Sequence, residues 1–504
     1  MKNRILLLPG LLAVGSSAAF AQQRPNILVI VTDDQTYESI GALNNPEIQT
    51  PNLDRLTRQG TTFTHAYNQG SWSGAVSVAS RSMLITGQYL NNARKNDSYL
   101  DGWARTKHEG ATTSVPLWGE TFRKAGYKTY MTGKWHNSET ALLRSFDEAQ
   151  RVGTGFYESK TTEGKKLQYN RASADSEWKP TDAKFGGHWQ PSLKDIIVEN
   201  GQRKVTKAYE MKRHTSEVYS DAAIEFLQQQ KGDQPFFMYV AFNAPHDPRQ
   251  SPRRFVERYS TDKISLPRNF QPEHPFDQGD RKVRDEVLAP FPRTPEAVRL
   301  HRSEYYALIT YTDEVIGRIL DELERSGLDK NTIVIFTSDH GLAVGSHGLM
   351  GKQNLYEHTI RVPLIFKGPN IQQNVQSDGM VYMQGLYATT CDLAGIETPA
   401  TVDFPSLLPQ LKQPEAPAQE FIWGSYRYHQ RMLRSERYKL IVYPKVKQIQ
   451  FFDMEKDPYE TKNLAHKSKY AKMVTEYFKK LKDKQKEFDD KLQLGTLDAY
   501  LSNK

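Results

Sequence analysis

Ser77 and Arg81 stand four residues apart in the run "GAVSVASRSMLITGQY". A serine hydroxyl is a poor nucleophile unless a base, a metal or a chemical conversion activates it, so whatever activates Ser77 has to come from elsewhere. If a helix begins at this run, Arg81 lies one turn on and on the same face, where its guanidinium can orient an oxygen carried by Ser77. Asp33 and Asp34 close the run "PNILVIVTDD", and Asp339 with His340 close "NTIVIFTSDHG". Carboxylates gathered in one place repel each other, and a bound divalent cation is the simplest way to hold such a cluster together. The plainer alternative is that Asp33 and Asp34 cap a turn or a helix. Lys134, His136, His246 and Lys352 would add two cations and two titratable imidazoles. That much basicity suits an anionic ester, whose nonbridging oxygens need neutralising as the bond breaks. Each of these four alone reads as well as a surface residue or a satisfied hydrogen-bonder, so the reading rests on their convergence.

Strands must deliver these residues. "PNILVIVTDD" is apolar and β-branched, as a fully buried strand with acids at its C-terminal edge would be. In "SVPLWGETFRKAGYKTYMTGKWH" the pattern predicts a helix from about Val115 to Lys124, a stop at Gly126, and a strand that emits Lys134 and His136. A helical pattern from Thr215 to Gln230 leads into "PFFMYVAFNAPHDP" and His246; another from Arg302 to Ser326 leads into the strand that ends at Asp339 and His340. The alternation predicts an α/β fold, a large and mostly parallel sheet sandwiched by helices, with ligands beyond the strand C-termini. After about Glu397 the pieces shorten to "EFIWGSYR", "RMLRSERYKLIVY" and "IQFFDME", then a helix carrying Val474, Phe478, Leu481, Phe488 and Leu492 on one stripe. This predicts a smaller C-terminal antiparallel sheet with a packing helix, dividing the chain at 22–397 and 398–504.

Residues 1–21, "MKNRILLLPGLLAVGSSAAFA", combine basic residues, an apolar stretch and the small-residue pattern Ala19-Phe20-Ala21. They read as a secretory signal, and the apolar stretch is too short to span a bilayer, so no integral membrane segment is expected. Cys391 is the only cysteine among 504 residues, so no intrachain disulfide can form. The formal charge of +8 includes Lys2 and Arg4 of the signal. No basic run is interleaved with aromatics in the way nucleic-acid binding would want, so no nucleic acid partner is expected.

Taken together, "RPNILVIVTDDQ", "TPNLDRLTRQGTTFTHAY", "GAVSVASRSMLITGQY", "GYKTYMTGKWH", "APHDP", "IFTSDHGLAVGSHGLMGKQNLYEHTIRVPLIF" and "DMEKDPYETKNLA" resemble a serine-type, formylglycine-dependent sulfatase of the alkaline phosphatase-like superfamily. The kinship is to bacterial exo-acting glycan sulfatases, and Ser/Cys-x-Pro/Ala-Ser-Arg is its most specific motif. The resemblance implies that Ser77 is oxidised to formylglycine (3-oxoalanine), whose hydrate carries two geminal hydroxyls: one attacks sulfur and the second later expels sulfate. A serine at this position implies a radical maturase as partner. The resemblance also implies one calcium ion held by Asp33, Asp34, Asp339 and His340 with the modified Ser77 oxygen. Many relatives carry asparagine at the position of His340, and calcium prefers oxygen to imidazole. Arg81, Lys134 and His136 would then hold the diol, His246 would protonate the departing alcohol, and Lys352 would clamp a sulfate oxygen. The exported protein is expected in the periplasm.

Two rivals use the same residues: a phosphodiesterase or phosphomonoesterase with an unmodified hydroxyl and two zinc ions, which "SDHG" allows, and a noncatalytic glycan-binding protein that keeps the fold without the chemistry. The sugar should be chosen by two long loops, Gly153 to His214 and Asp247 to Pro295. Within them His188, Trp189, Arg253 and Arg254 are the candidates for a pyranose face and its hydroxyls. The loop pattern, including "RDEVLAPFPRTPE", looks most like sulfatases of terminal galactose or N-acetylgalactosamine 4-O-sulfate in glycosaminoglycan, mucin or algal glycans, with 6-O-sulfated hexosamine as the competitor.

Overall fold

The Asn26–Asp33 strand, β1, is buried at every position. Its side chains alternate between two cores, Leu28 and Ile30 facing one and Ile27, Val29 and Val31 the other, as the two-residue period of a strand requires. Such a strand must lie inside a sheet covered on both faces, and the computed structural model, which describes residues 24–100, 113–153 and 178–502, shows this. The expected signal segment lies outside the described residues.

Three further strands, β2 (Lys128–Lys134), β3 (Phe236–Pro245) and β4 (Thr332–Ser338), join β1 in the spatial order β4-β1-β3-β2, every pair parallel. Parallel strands end on the same side, so the termini that emit Asp33, Lys134, His246 and Asp339 share one edge. Further strands, parallel ones such as Glu148–Gly153 and the antiparallel Arg361–Lys367, extend the sheet to eleven strands among the described residues. Helices α1 (Val76–Thr86) and α2 (Trp118–Lys124) contribute to one core, and α3 (Thr215–Gln228) and α4 (Pro295–Arg325) to the other.

Two helix starts differ from expectation. α2 begins at Trp118 rather than Val115, where the Leu117 N–H donates to the Glu120 carboxylate at 3.2 Å. α4 begins at Pro295 rather than Arg302, because the Thr294 hydroxyl caps the Ala297 N–H and Pro295 occupies the first turn, where no amide donor is needed.

The C-terminal sheet has the strands Ile422–Tyr426, Gln430–Arg434, Tyr438–Tyr443 and Gln448–Asp453, all antiparallel, and it borrows Gly70–Ser71 as a parallel fifth strand. The Ala471–Glu487 helix buries Val474, Phe478 and Leu481 against it. It stops at its C-cap Phe488, so Leu492 packs from beyond the helix end. No helix among the described residues is long and apolar enough to cross a membrane.

Candidate active site

All eleven residues of α1 are buried, and Ser77 sits in its first turn, where unpaired backbone N–H groups and the helix dipole favour negative charge. The Ser77 hydroxyl donates to Asp33 Oδ1 at 2.9 Å and lies 3.3 Å from His340 Nε2. One turn on, Arg81 Nε donates to Asp339 Oδ2 at 3.0 Å and Nη1 to the Lys134 carbonyl at 3.3 Å, while Nη2, buried, has no partner among the described residues.

Simple strand alternation would send Asp33 and Asp34 to opposite faces. Asp34 instead adopts φ 71°, a left-handed conformation that costs a non-glycine residue roughly 1–3 kcal/mol. Its N–H donates to Asp339 Oδ1 at 3.2 Å, and its carbonyl accepts from the Tyr305 hydroxyl of α4 at 2.6 Å. This turn keeps both carboxylates in one cluster. A comparable device aims Lys134: the register of β2 shifts at Gly133, whose φ is 97° and where a Cβ would lie 1.9 Å from the Ala241 carbonyl oxygen. Only glycine fits, and the bulge presents Lys134 to Asp33, with which its ammonium pairs.

Each buried carboxylate thus meets its own cation. Lys352 Nζ donates to both Asp34 oxygens at 2.8 and 2.9 Å. Burial acts to raise the Asp33 carboxyl, yet the charges of Lys134, His246, Lys352 and Arg81 hold it well below the usual carboxylate range. Asp34 goes the other way: burial, helped by the Asp33 and Asp339 charges, pushes it well above that range despite Lys352. One carboxylate of the cluster is therefore held against its preference, a tension that a divalent cation relieves. Asp34, Asp339 and His340 each offer one ligand atom, all within 4.8 Å of one another. The set fits a divalent cation. His340 Nδ1 donates to the Gly341 carbonyl at 3.0 Å, and burial lowers the ring to about 4, so its Nε2 lone pair is free for the cluster. His136 is buried beside Lys134, and that burial with the Lys134 charge holds it well below its usual value, as a neutral ring.

His246 lies across the cluster, its Nε2 3.8 Å from Asp34 Oδ2. Its Nδ1 donates to the Asp247 carbonyl at 2.7 Å, leaving Nε2 as the atom that gains or loses a proton. Burial first, and then Lys352, lower the ring to about 3. Sequence reading missed the surroundings of this histidine. Arg284 Nη2 stands 3.4 Å from His246 Nε2, and the same guanidinium pairs with Asp247 and with Asp285 at 2.5 Å. Arg284 lies in the loop singled out for substrate recognition, but no spacing distinguished it from Arg253 or Arg254.

A family model described as "Sulfatase" matches residues 25–396, and one described as "N-sulphoglucosamine sulphohydrolase, C-terminal" matches residues 345–487. The chain belongs to the sulfatase family. As a sulfatase it hydrolyses sulfate esters. It is 27% identical over 540 residues to an N-acetylglucosamine-6-O-sulfatase of Bacteroides thetaiotaomicron, covering 93% of this chain and 87% of that one. It is 26% identical over 467 residues to an arylsulfatase of Clostridium perfringens, with 91% and 93% covered. Its fold is shared with a solved structure in complex with the substrate D-glucosamine-2-N,6-O-disulfate, at TM-score 0.70 and 23% identity over 93% of this chain and 99% of the other. The phosphonate monoester hydrolase of Agrobacterium radiobacter shares it equally, at TM-score 0.70 and 20% identity, with 92% and 96% covered.

The four loop candidates are held through contacts within the protein. His188 is fully buried, with Nε2 donating to the His246 carbonyl at 3.1 Å and Nδ1 2.6 Å from the Thr215 hydroxyl. Both ring nitrogens are thus engaged inside the protein, one of them beside His246. Trp189 turns its indole N–H to the Pro180 carbonyl and packs edge-on against His214. Arg253 pairs with Glu257, and Arg254 pairs with Glu314 while stacking on Phe255. Among the described residues no contact ties either arginine to the cluster.

Proposed function

We propose that this sulfatase, exported to the periplasm, removes sulfate from a carbohydrate after a serine-type maturase oxidises Ser77 to formylglycine. The observation that carries the reading is the setting of Ser77: buried at the first turn of α1, 2.9 Å from Asp33 and one turn before Arg81. The hydrated aldehyde supplies two geminal hydroxyls, one to attack sulfur and one whose later deprotonation releases the enzyme. Lys134 steadies the charge that develops on the first, and the neutral His136 ring beside it assists the deprotonation. Asp34, Asp339 and His340, with Asp33 adjoining, would hold calcium, which neutralises anionic oxygens. His246 delivers a proton from Nε2 to the leaving alcohol; an anionic ester brought beside it favours the charged ring that this transfer needs. Arg284, about a third exposed and touching His246, is placed to meet the sugar.

The hydroxyl that bears the sulfate follows from the sugar pocket rather than from the shared cluster. The 4-O-sulfate of galactose or N-acetylgalactosamine is supported by the loop pattern, and 6-O-sulfated hexosamine by the names of the N-acetylglucosamine-6-O-sulfatase relative and the disulfate complex. A panel of monosulfated galactose, N-acetylgalactosamine and N-acetylglucosamine isomers tests this: sulfate release confined to a 6-sulfate removes the 4-sulfate reading. The phosphoester alternative draws on the shared fold of the phosphonate monoester hydrolase. It requires turnover of a phosphodiester at least equal to that of the best sulfate ester.

A further inference from the structure

A cavity of about 580 Å³ opens between the loop that follows β1, the helix α4 and residues 458–460, within the size range of roughly 300–1,000 Å³ usual for small-molecule sites. Its walls include none of Ser77, Lys134, His136, His246 or Lys352. We propose that this cavity is a second, noncatalytic binding site for a saccharide.

The lining has the chemistry that a polyhydroxylated ring requires. Three guanidinium groups are laid over tyrosine rings: Arg361 over Tyr37 at 3.9 Å, Arg302 over Tyr306 at 5.2 Å and Arg268 over Tyr459 at 5.0 Å. Stacking of this kind holds planar donors in place before a ligand arrives. Among the described residues, neither Arg268 nor Arg361 has a carboxylate within 4.0 Å, and Arg302 reaches Glu47 only at 3.9 Å. Glu357 and Glu460 also border the cavity but are paired with Lys439, at 3.0 and 2.7 Å, which does not line it. The charges left to a ligand are then three guanidinium groups against Glu38, Glu47 and Asp378. So even a balance of donors and acceptors disfavours a free ion of either sign. It matches sugar hydroxyls, each of which donates and accepts.

A second observation points the same way. His358 borders the cavity, and both its ring nitrogens are buried without a partner among the described residues; Arg302 Nε is likewise unpartnered. Burial, then the Lys439 charge, lower the His358 ring to about 3, so it is neutral and offers one donor and one acceptor, as a hydroxyl does. Unmet buried polar atoms are costly, and these nitrogens, closed to solvent in the free protein, gain a partner only if a ligand in the cavity draws them towards it. Tyr305 belongs both to this wall and to the cluster, through its bond to the Asp34 carbonyl. A glycan held here would lie one side chain away from the metal-binding turn.

The test needs no turnover and is therefore independent of the proposed reaction. Full-length Ser77→Ala protein is titrated with lactose, N,N′-diacetylchitobiose and an unsulfated chondroitin disaccharide, and binding is read by saturation-transfer NMR and calorimetry. At least one disaccharide should bind, and Arg268→Ala or Tyr459→Ala should weaken it about tenfold. Arg268 is exposed, so its replacement leaves the fold intact, which a thermal melt checks. In the matured enzyme the same variants should leave kcat/KM for a small aryl sulfate unchanged. Absence of binding by all three disaccharides at millimolar concentration, or equal affinity in wild type and both variants, overturns the proposal.

Discussion

Replacing His246 by alanine removes the side chain that the proposed mechanism uses to protonate a leaving alcohol. Its ring is buried and pinned through Nδ1 to the Asp247 carbonyl at 2.7 Å, so that Nε2 alone faces the cluster. General acids are worth roughly 10²–10⁴ in rate, which at about 1.36 kcal/mol per decade is roughly 3–5 kcal/mol of barrier. That loss should appear on a sugar sulfate, whose alkoxide cannot leave unprotonated. On an aryl sulfate, whose phenolate leaves unaided, the loss should stay within about tenfold. The assay compares kcat/KM on the two substrates for wild type and His246→Ala, with melting temperatures recorded because a buried ring has been lost. Equal losses on both substrates would refute the assignment. The geometry adds a graded control: His188→Ala removes the bond to the His246 carbonyl, worth about 1 kcal/mol, along with the Thr215 contact on its other nitrogen, so the melting temperature is recorded here too. It should therefore lower turnover of the sugar sulfate about fivefold, again sparing the aryl sulfate.

Other outcomes follow from the same site. Ser77→Ala should fold with an unchanged melting temperature and release no sulfate from any ester. Chelation should abolish activity and lower the melting temperature, and calcium at a hundredfold over its Kd should restore about 2.7 kcal/mol; an unmoved melt would argue against a bound cation. Burial first of all lowers His65, His188 and His274 to about 4. The unfolded chain therefore binds more protons, and stability, full above about pH 6.5, is lost as pH falls towards 4. For the fully buried His188 alone the loss is roughly 3 kcal/mol, so thermal unfolding followed against pH should collapse above pH 4. A melting temperature constant from pH 7 to 4.5 would contradict this.

The strands that carry the cluster were legible because their apolar runs are long and each ends in a charged or imidazole side chain. Helix periodicity likewise found α3, and it found α4 except for its first two turns, where the Thr294 cap and Pro295 had been read as loop. What escaped were features set by backbone geometry. Neither the left-handed turn at Asp34 nor the bulge at Gly133 has a signature beyond an ordinary "DD" or "TGK", yet these bring Asp34 and Lys134 into place. The substrate loops were hard to read for another reason. Aromatic and basic residues in "FGGHWQPS" suit a sugar face, but the same groups pack well, and His188 has its ring nitrogens engaged inside the protein. Arg284 became visible only when folding set it against His246 and Asp247.

On the proposed mechanism Ser77 reacts only after conversion to the aldehyde. The most direct measurement prepares the protein with and without a serine-type maturase, records the mass of the Ser77 peptide and assays sulfate release on the same samples. Activity should rise in proportion to the fraction of peptide that has lost two hydrogens, and the unconverted sample should release none. Full activity from protein whose Ser77 peptide keeps its unmodified mass would contradict the account.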